Sequence, residues 1–154
     1  MYQDFKELLA ILNAEQVKYL IVGGYAVSFY TQPRATKDLD IFIKPDKDNA
    51  DALFRALVRF DAPLGDLKPV DFAEQGSFFR MGKPPIMVDI LPELTGVDFD
   101  NAWKNRVMAT IDAETNLEAA FIAANDLITA KEAAGRPQDI ADAAVLRKAQ
   151  DIPA

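Results

Sequence analysis

Three aspartates have a spacing that suits joint chemistry. Asp38 and Asp40 are separated by one apolar residue within the run DLDIFI at residues 38–43, and Asp89 is flanked by valine and isoleucine in a second apolar run. Side chains alternate faces along a strand at about 3.3 Å per residue, so Asp38 and Asp40 are expected on one face about 6.6 Å apart. Neighbouring carboxylates repel, and a divalent cation between them removes that penalty. If the two runs form adjacent strands, the three carboxylates converge on a site for one or two Mg²⁺ ions.

The amino-acid composition restricts any metal chemistry to oxygen ligands. The chain has 154 residues and contains neither histidine nor cysteine. Thiolate zinc sites, cysteine nucleophiles, histidine-ligated metals and Ser-His-Asp triads are therefore excluded. Oxygen ligands select hard cations, which leaves Mg²⁺, Mn²⁺ or Ca²⁺.

A Gly-Gly pair at residues 23–24 forms the second half of the predicted site. It follows the apolar run YLIV at residues 19–22 and precedes a short helical segment. Glycines let a phosphate approach the backbone, and free N–H groups at the start of a helix favour an anion. Carboxylates for a metal beside a phosphate cradle describe phosphoryl or nucleotidyl transfer. Each part alone also fits a turn or a solvated strand edge, but their combination at this spacing favours the site.

This pattern resembles the hG[G/S]…DhDh…hDh motif of the DNA polymerase β-like nucleotidyltransferase superfamily. The strings RATKDLD at residues 34–40, DLITAK at 126–131 and GRPQD at 135–139 are similar to those of small bacterial nucleotidyltransferases. That group includes abortive-infection type toxins and lincosamide-type resistance nucleotidyltransferases. The resemblance spans about residues 17–147. It implies a nucleotidyltransferase fold with a central mixed β-sheet, flanking helices and a C-terminal helical pair.

The resemblance implies a role for each position of the motif. Asp38 and Asp40 would be the paired metal ligands, and Asp89 would be the third ligand and would polarise the acceptor hydroxyl. Gly23 and Gly24 would hold the β- and γ-phosphates of an NTP. With Mg²⁺ or Mn²⁺ bound, the acceptor would attack the α-phosphorus in line and release pyrophosphate.

Other residues are implied to contact the nucleotide. Lys131 would project from the penultimate helix toward the triphosphate or the base. Arg136 and Asp139 would stabilise that helical end or the mouth of the site. The full set of nucleotide-binding candidates besides the two glycines is Ser28, Thr36, Lys37 and Lys131.

The elements that must position these residues alternate between strands and helices, which predicts an α/β or α+β sheet domain. The first half is expected to contain a helix at 3–16, a strand at 19–22, a helix at 25–30, a loop at 31–37, a strand at 38–43 and a helix to residue 60 capped by Asp46 or Asp48. The second half is expected to contain a loop at 61–76, strands at 77–81 and 86–91 joined by residues 82–85, a short helix at 99–105, a strand at 107–111 and an apolar run at 119–123.

Two C-terminal helices complete the expected fold. Asn125 is predicted to cap a helix at 126–134, which Gly135 ends. Pro137 is predicted at the first position of a last helix ending near Ala149. We expect a single nucleotidyltransferase domain over residues 1–154, within which residues 125–150 could form a small C-terminal helical subdomain.

The charge balance limits the classes of partner. A formal net charge of −7 disfavours a sequence-independent nucleic-acid binder, because phosphate neutralisation needs a basic face. It gives a faint preference for a cationic small-molecule acceptor over tRNA. The N-terminal residues carry early charges without a secretory apolar region, and no apolar run is long enough to span a membrane, so the cytoplasm is expected.

Two functions from different classes follow from these observations. The first is an active Mg²⁺-dependent nucleotidyltransferase, of toxin or resistance type, whose acceptor is a hydroxyl on a small molecule, an RNA end or a protein. The second is a non-catalytic nucleotide-binding or partner-regulating module of a toxin–antitoxin pair. In either case a cognate antitoxin or a second copy of the chain could complete the site.

Overall fold

A six-stranded mixed sheet with helices packed around it forms the framework of the protein, in a computed structural model that describes residues 1–74, 76–83 and 86–151. The strands are β1 (Tyr19–Val22), β2 (Asp38–Ile43), β3 (Phe79–Lys83), β4 (Ile86–Leu91), β5 (Val107–Asp112) and β6 (Leu117–Phe121). The helices are α1 (Gln3–Ala14), α2 (Gly23–Tyr30), α3 (Lys47–Arg59), α4 (Phe99–Lys104), α5 (Ala124–Ala134) and α6 (Pro137–Ala149).

The sheet has the strand order β3-β4-β2-β1-β6-β5. The central strands β1 and β2 are antiparallel, whereas β2 runs parallel to β4 and β1 runs parallel to β6. The outer pairs, β3 with β4 and β5 with β6, are antiparallel. A mixed sheet flanked by helices is the α+β class that the alternating pattern predicts, and the prediction is confirmed.

Hydrophobic periodicity accounts for the core. Every residue of β1 is buried, as expected for a central strand covered on both faces. In β2 the apolar residues Leu39, Ile41 and Ile43 are fully buried, while Asp38 and Asp40 on the opposite face are only partly buried. The apolar stripe of α1 is also buried, at spacings of three and four residues.

Three predicted boundaries in the N-terminal part and the hairpin are wrong. Helix α2 begins at Gly23 rather than at residue 25, directly after β1. Strand β3 covers Phe79–Lys83 rather than 77–81, because its pairing with β4 sets Met81 opposite the buried Val88. The expected connection at 82–85 therefore loses its first two residues to the strand, and Pro84 and Pro85 lie outside the described residues.

The expected loop at 61–76 contains a short 3₁₀ helix, Pro69–Ala73, whose Phe72 packs into the core. Gln75, in the same predicted loop, lies outside the described residues. The cap of α3 is Asp46, whose side chain accepts a hydrogen bond from the Asn49 backbone N–H at 2.8 Å, so Asp48 is not the cap.

The start of α5 also differs from the prediction. The apolar run at 119–123 belongs to β6 and its extension, because the Ile122 N–H still donates to the Ile21 carbonyl at 3.1 Å. The helix then begins at once, so Ala123 takes the capping position and Asn125 lies inside the helix.

The end of α5 and the start of α6 follow the prediction. Gly135 has φ of 72°, which is the left-handed conformation that ends many helices. Pro137 stands at the first turn of α6. The division of the chain into one domain, or one domain with a helical subdomain, stays a prediction. Among the described residues, no helix is long and apolar enough to cross a membrane.

Candidate active site

Asp40 and Asp89 lie next to each other on adjacent parallel strands. The register of β2 against β4 pairs Asp40 with Asp89 and Asp38 with Met87. Neighbouring strands are about 4.8 Å apart, and side chains of paired residues share a face. The expectation that the two aspartate-bearing strands are neighbours is therefore confirmed, and Asp38, Asp40 and Asp89 lie on the same face of the sheet. Their role as metal ligands stays a prediction.

The electrostatics of this face favour a bound cation. Burial raises the pKa of Asp40 to about 6, and the nearby charge of Asp89 adds to the increase. The Oδ1 atom of Asp89 is buried and has no hydrogen-bond partner among the described residues. Two crowded carboxylates, one with an oxygen that accepts no hydrogen bond, hold negative charge that a bound cation would stabilise.

Arg80 contacts this carboxylate group, and the sequence analysis did not identify it. It stands opposite Asp89 in the antiparallel β3–β4 pair. Its Nη2 atom lies 3.4 Å from Asp38 Oδ2 and its Nε atom lies 3.6 Å from Asp89 Oδ1. Opposite charges on paired strands attract, so a correct hairpin register would have predicted the contact.

The three aspartates fit a hard cation in their chemistry and in their register. As the side chains stand, however, no group of three or more acidic residues in the described ranges is arranged to hold a metal ion. The Asp38 carboxylate lies beside Arg80. Asp40 and Asp89 could thus provide a pair of adjacent oxygen ligands, and Asp38 could join them once it leaves Arg80.

Gly23 and Gly24 allow the start of α2 to pack against this face. Gly23 has φ of 65°, and a β-carbon there would collide with the Asp40 carboxylate. A β-carbon on Gly24 would come within 2.9 Å of Thr36 Cγ2. The two glycines therefore bring the N–H groups at the start of an eight-residue helix next to Asp40, in a position that favours an anion.

An open cleft of about 610 Å³ is lined by Gly24 at this helix start and by Asp38 and Asp40, whereas Asp89 is not among its lining residues. The Tyr25 hydroxyl donates to the Thr36 carbonyl at 3.0 Å, and this hydrogen bond holds the segment before β2 against α2. Thr36 and Lys37 were predicted from the sequence, and both line the cleft. Its lining residues are Gly24, Arg34, Ala35, Thr36, Lys37, Asp38, Asp40 and Gln138.

Ser28 is not brought to the cleft. It lies one helical turn beyond Gly24, its Oγ atom is buried, and this atom has no hydrogen-bond partner among the described residues. It is also absent from the residues that line the cleft. Its predicted contact with the nucleotide has no support in this arrangement.

Lys131 reaches the site from α5, held by two acidic residues of α6. Its Nζ atom lies 3.5 Å from Asp139 Oδ1 and 3.2 Å from Asp142 Oδ2. Its positive charge also opposes the increase in the pKa of Asp40, so it lies close enough to act on the carboxylate face. Lys131 is thus a fixed cation at the border between the aspartates and the C-terminal helices.

Asp142 is the centre of this border and is a residue that sequence reasoning missed. Its buried carboxylate accepts hydrogen bonds from Arg34 at 3.2 Å and from Gln138 at 2.9 Å. Burial alone would raise the pKa of Asp142, but the donors outweigh it and hold this pKa below its usual value. A spacing of three residues from Asp139, on one helix face, was the only local signal.

Arg136 and Asp139 form a tight pair at the start of α6. Arg136 Nε donates to Asp139 Oδ2 at 2.6 Å, and this hydrogen bond holds the pKa of Asp139 below its usual value. The pair lies in the first turn of the helix, where an acidic residue also interacts favourably with the helix dipole. The position matches the stabilising role implied for them at this helical end.

The mixed sheet and its flanking helices are those of a nucleotidyltransferase-like α+β protein. Residues 2–152 match the family described as "Nucleotidyltransferase of unknown function (DUF6036)". The chain belongs to that family. No curated protein matches it.

Proposed function

We propose that this protein transfers a nucleoside monophosphate from an NTP to a hydroxyl acceptor and releases pyrophosphate, with Mg²⁺ or Mn²⁺ as cofactor. The observation that carries the proposal is the register of Asp40 beside Asp89, with Asp38 on the same face and the Gly-Gly helix start against Asp40. Oxygen ligands beside an anion-binding helix start are the two parts that this chemistry requires.

The aspartates would hold the metal through their carboxylate oxygens. A bound divalent cation supplies charge stabilisation to the attacking and leaving oxygens. Asp89 would also accept the proton of the acceptor hydroxyl; its Oδ1 atom accepts no hydrogen bond in the described structure and lies 3.6 Å from Arg80 Nε. The hydroxyl oxygen forms a bond to the α-phosphorus while the bond to the bridging oxygen breaks, and pyrophosphate carries away that electron pair.

The remaining residues would bind and orient the nucleotide. The backbone N–H groups at Gly23 and Gly24 would bind the terminal phosphates, and Gly24, Thr36 and Lys37 line one cleft. Lys131 would add a fixed positive charge. Its pairing with buried carboxylates keeps it in place before the nucleotide arrives, which reduces the ordering cost of binding.

A labelling experiment tests the transfer and identifies the class of acceptor. The protein is incubated with each NTP labelled at the α-phosphate, with Mg²⁺ and cell extract, and label is then sought in RNA, protein and small molecules. Label in RNA or protein favours a toxin-type enzyme, and label in a small molecule favours a resistance-type enzyme. Asp40→Asn is the matched negative control. Absence of label in every fraction with all four NTPs contradicts the proposal.

A second candidate function is a nucleotide-binding module that regulates a partner, such as an antitoxin, without turnover. The observation that favours it is the Arg80 guanidinium, which compensates two of the three carboxylates from within the chain. Nucleotide-dependent thermal stabilisation of the wild type without label transfer in any fraction would support this candidate over the enzyme.

A further inference from the structure

Arg80 is a charged residue of the carboxylate face that takes no part in the proposed transfer reaction. It comes from β3, the strand at one edge of the sheet, and it faces Asp89 across the β3–β4 pair. It contacts Asp38 and Asp89 together, and in the described parts of the chain no other cation forms an ion pair with either of them. Lys131, the other nearby cation, pairs with Asp139 and Asp142.

The ion pairs of Arg80 compensate the charge of the carboxylate face but are weak. Its distances of 3.4 and 3.6 Å to the carboxylate oxygens exceed the roughly 2.7–2.9 Å of a strong charge-assisted hydrogen bond. Its side chain is 47% exposed, and exposed ion pairs of this kind are weak. A guanidinium held in this way can leave at little cost.

We propose that Arg80 is a displaceable counter-ion, which occupies Asp38 and Asp89 in the metal-free protein and must leave before a divalent cation binds both. This inference rests on the proposed metal-dependent function. Arg80 contacts Asp38 Oδ2 and Asp89 Oδ1, and a divalent cation held by both carboxylates would compete with it for them. A protein conformation in which these oxygens are occupied cannot ligate metal through them, so the apparent metal affinity is reduced by the fraction of molecules in that conformation.

The chain offers a matched control for this competition. Lys83 lies three residues further along the same edge strand, on the opposite face because side chains alternate. Lys83→Gln and Arg80→Gln each remove one positive charge from β3. Only Arg80→Gln removes a group in contact with the aspartates.

Calorimetric titration of the full chain with Mn²⁺, without nucleotide, tests the inference. Arg80→Gln is expected to bind Mn²⁺ about three- to tenfold more tightly than the wild type, whereas Lys83→Gln should stay within about twofold. Equal or weaker binding by Arg80→Gln overturns the inference, as does equal tightening in both variants, which would indicate a general charge effect. Mn²⁺ binding by the wild type in either case leaves the proposed metal-dependent function standing.

A second readout does not depend on any variant folding well. The side-chain Nε–H resonance of Arg80 in the ¹⁵N spectrum of the wild type should shift as Mg²⁺ is added, while the arginines distant from the site stay in place. A resonance that does not move while Mg²⁺ binds overturns the inference. If neither metal binds the wild type, with or without NTP, the metal-dependent function fails and the inference fails with it.

Discussion

Asp40 stands directly beside Asp89 in the parallel β2–β4 pair, so two carboxylates share a partly buried position in the metal-free protein. Such a pair has a stability cost, because burial and like charge both disfavour ionisation. The elevated pKa of Asp40, about 6, is the signature of that cost. A residue retained at such a cost is expected to act when a cation is bound.

Asp40→Asn should therefore stabilise the metal-free protein. A pKa raised from 3.8 to about 6 corresponds to a free-energy penalty on the order of 3 kcal/mol above that pH, and the neutral amide removes most of it. Urea unfolding with a chelator at about pH 7.5 measures the difference. Asp66→Asn, at an exposed position, is the control and should leave the free energy of unfolding nearly unchanged. A destabilised Asp40→Asn would contradict the prediction.

The same carboxyl gives the metal-free protein a defined pH dependence. Between about pH 4 and 6 the folded protein binds more protons at Asp40 than the unfolded chain does, so this residue's contribution to stability falls as pH rises through that window. The increase in the free energy of unfolding caused by Asp40→Asn should accordingly be near zero at about pH 4 and reach its full size above about pH 7. A gain that is constant across this range would show that ionisation of Asp40 is not its cause.

Gly23→Ala should damage the site in addition to straining the backbone. Gly23 and Gly65 both have positive φ, but a β-carbon collides with Asp40 only at Gly23, and it meets nothing within 4 Å at Gly65. Gly65→Ala should cost about 1 kcal/mol, and Gly23→Ala about 2 kcal/mol or more. We expect the thermal stabilisation by Mg²⁺ with NTP to be lost in Gly23→Ala and kept in Gly65→Ala. Equal ligand responses of the two variants would remove Gly23 from the site.

The sequence was sufficient to predict the aspartate face because its signal is local. Alternation of polar and apolar residues over six positions determines which side chains of β2 share a face. Because Leu39 and Ile41 are buried in the core, the aspartates lie on the opposite face of the strand. The apolar flanks of Asp89 identify a second strand in the same way. That the two strands are adjacent was only a condition of the prediction, and their parallel pairing appears only in the structure.

The contacts of Arg80 and Asp142 could not be predicted for different physical reasons. A four-residue connection at 82–85 would set Arg80 opposite Met87, whereas the observed register pairs Arg80 with Asp89. An error of two residues in the register changes every cross-strand partner. Asp142 binds Arg34, which is 108 positions away in the sequence. Only the folded chain brings these two residues together.

Asp142→Asn should be strongly destabilising. The substitution removes a buried negative charge that Arg34 and Lys131 contact, so Arg34 loses this ion pair and Lys131 keeps its contact with Asp139, at an expected cost of about 2–3 kcal/mol. Because the pKa of Asp142 is lowered in the folded state, its stabilisation is present above the unfolded pKa and is lost in acid as pH falls through the folded pKa. The difference from wild type in urea unfolding should therefore shrink at low pH.

Asp51→Asn is the matched control for that variant. Asp51 pairs with Lys47 on the exposed surface of α3, where an ion pair of this type contributes little. We expect a change within about 0.5 kcal/mol. Similar losses in the two variants would show that burial of the Asp142 network does not determine its contribution.

The C-terminal helices are expected to unfold together with the sheet. Leu146 of α6 is fully buried in the common core, and the Tyr30 hydroxyl of α2 donates to the Ile122 carbonyl, just before α5, at 2.6 Å. Trp103 on α4 stacks on Phe99 and so reports on the sheet side of the molecule by fluorescence. Far-UV circular dichroism reports on all helices, and the two signals should give one unfolding transition.

Two neighbouring substitutions on α6 make this prediction sharp. Leu146→Ala should cost about 2–4 kcal/mol because it opens a cavity in the core, and Val145→Ala, at a half-exposed position, should cost far less. If the helices and the sheet form one cooperative unit, Leu146→Ala lowers the midpoints of the circular dichroism and Trp103 fluorescence transitions by the same amount. If residues 125–150 form a separate subdomain, the circular dichroism transition splits into two. The midpoint of the Trp103 transition then equals that of the wild type, because the lost core contacts of α6 do not affect α4.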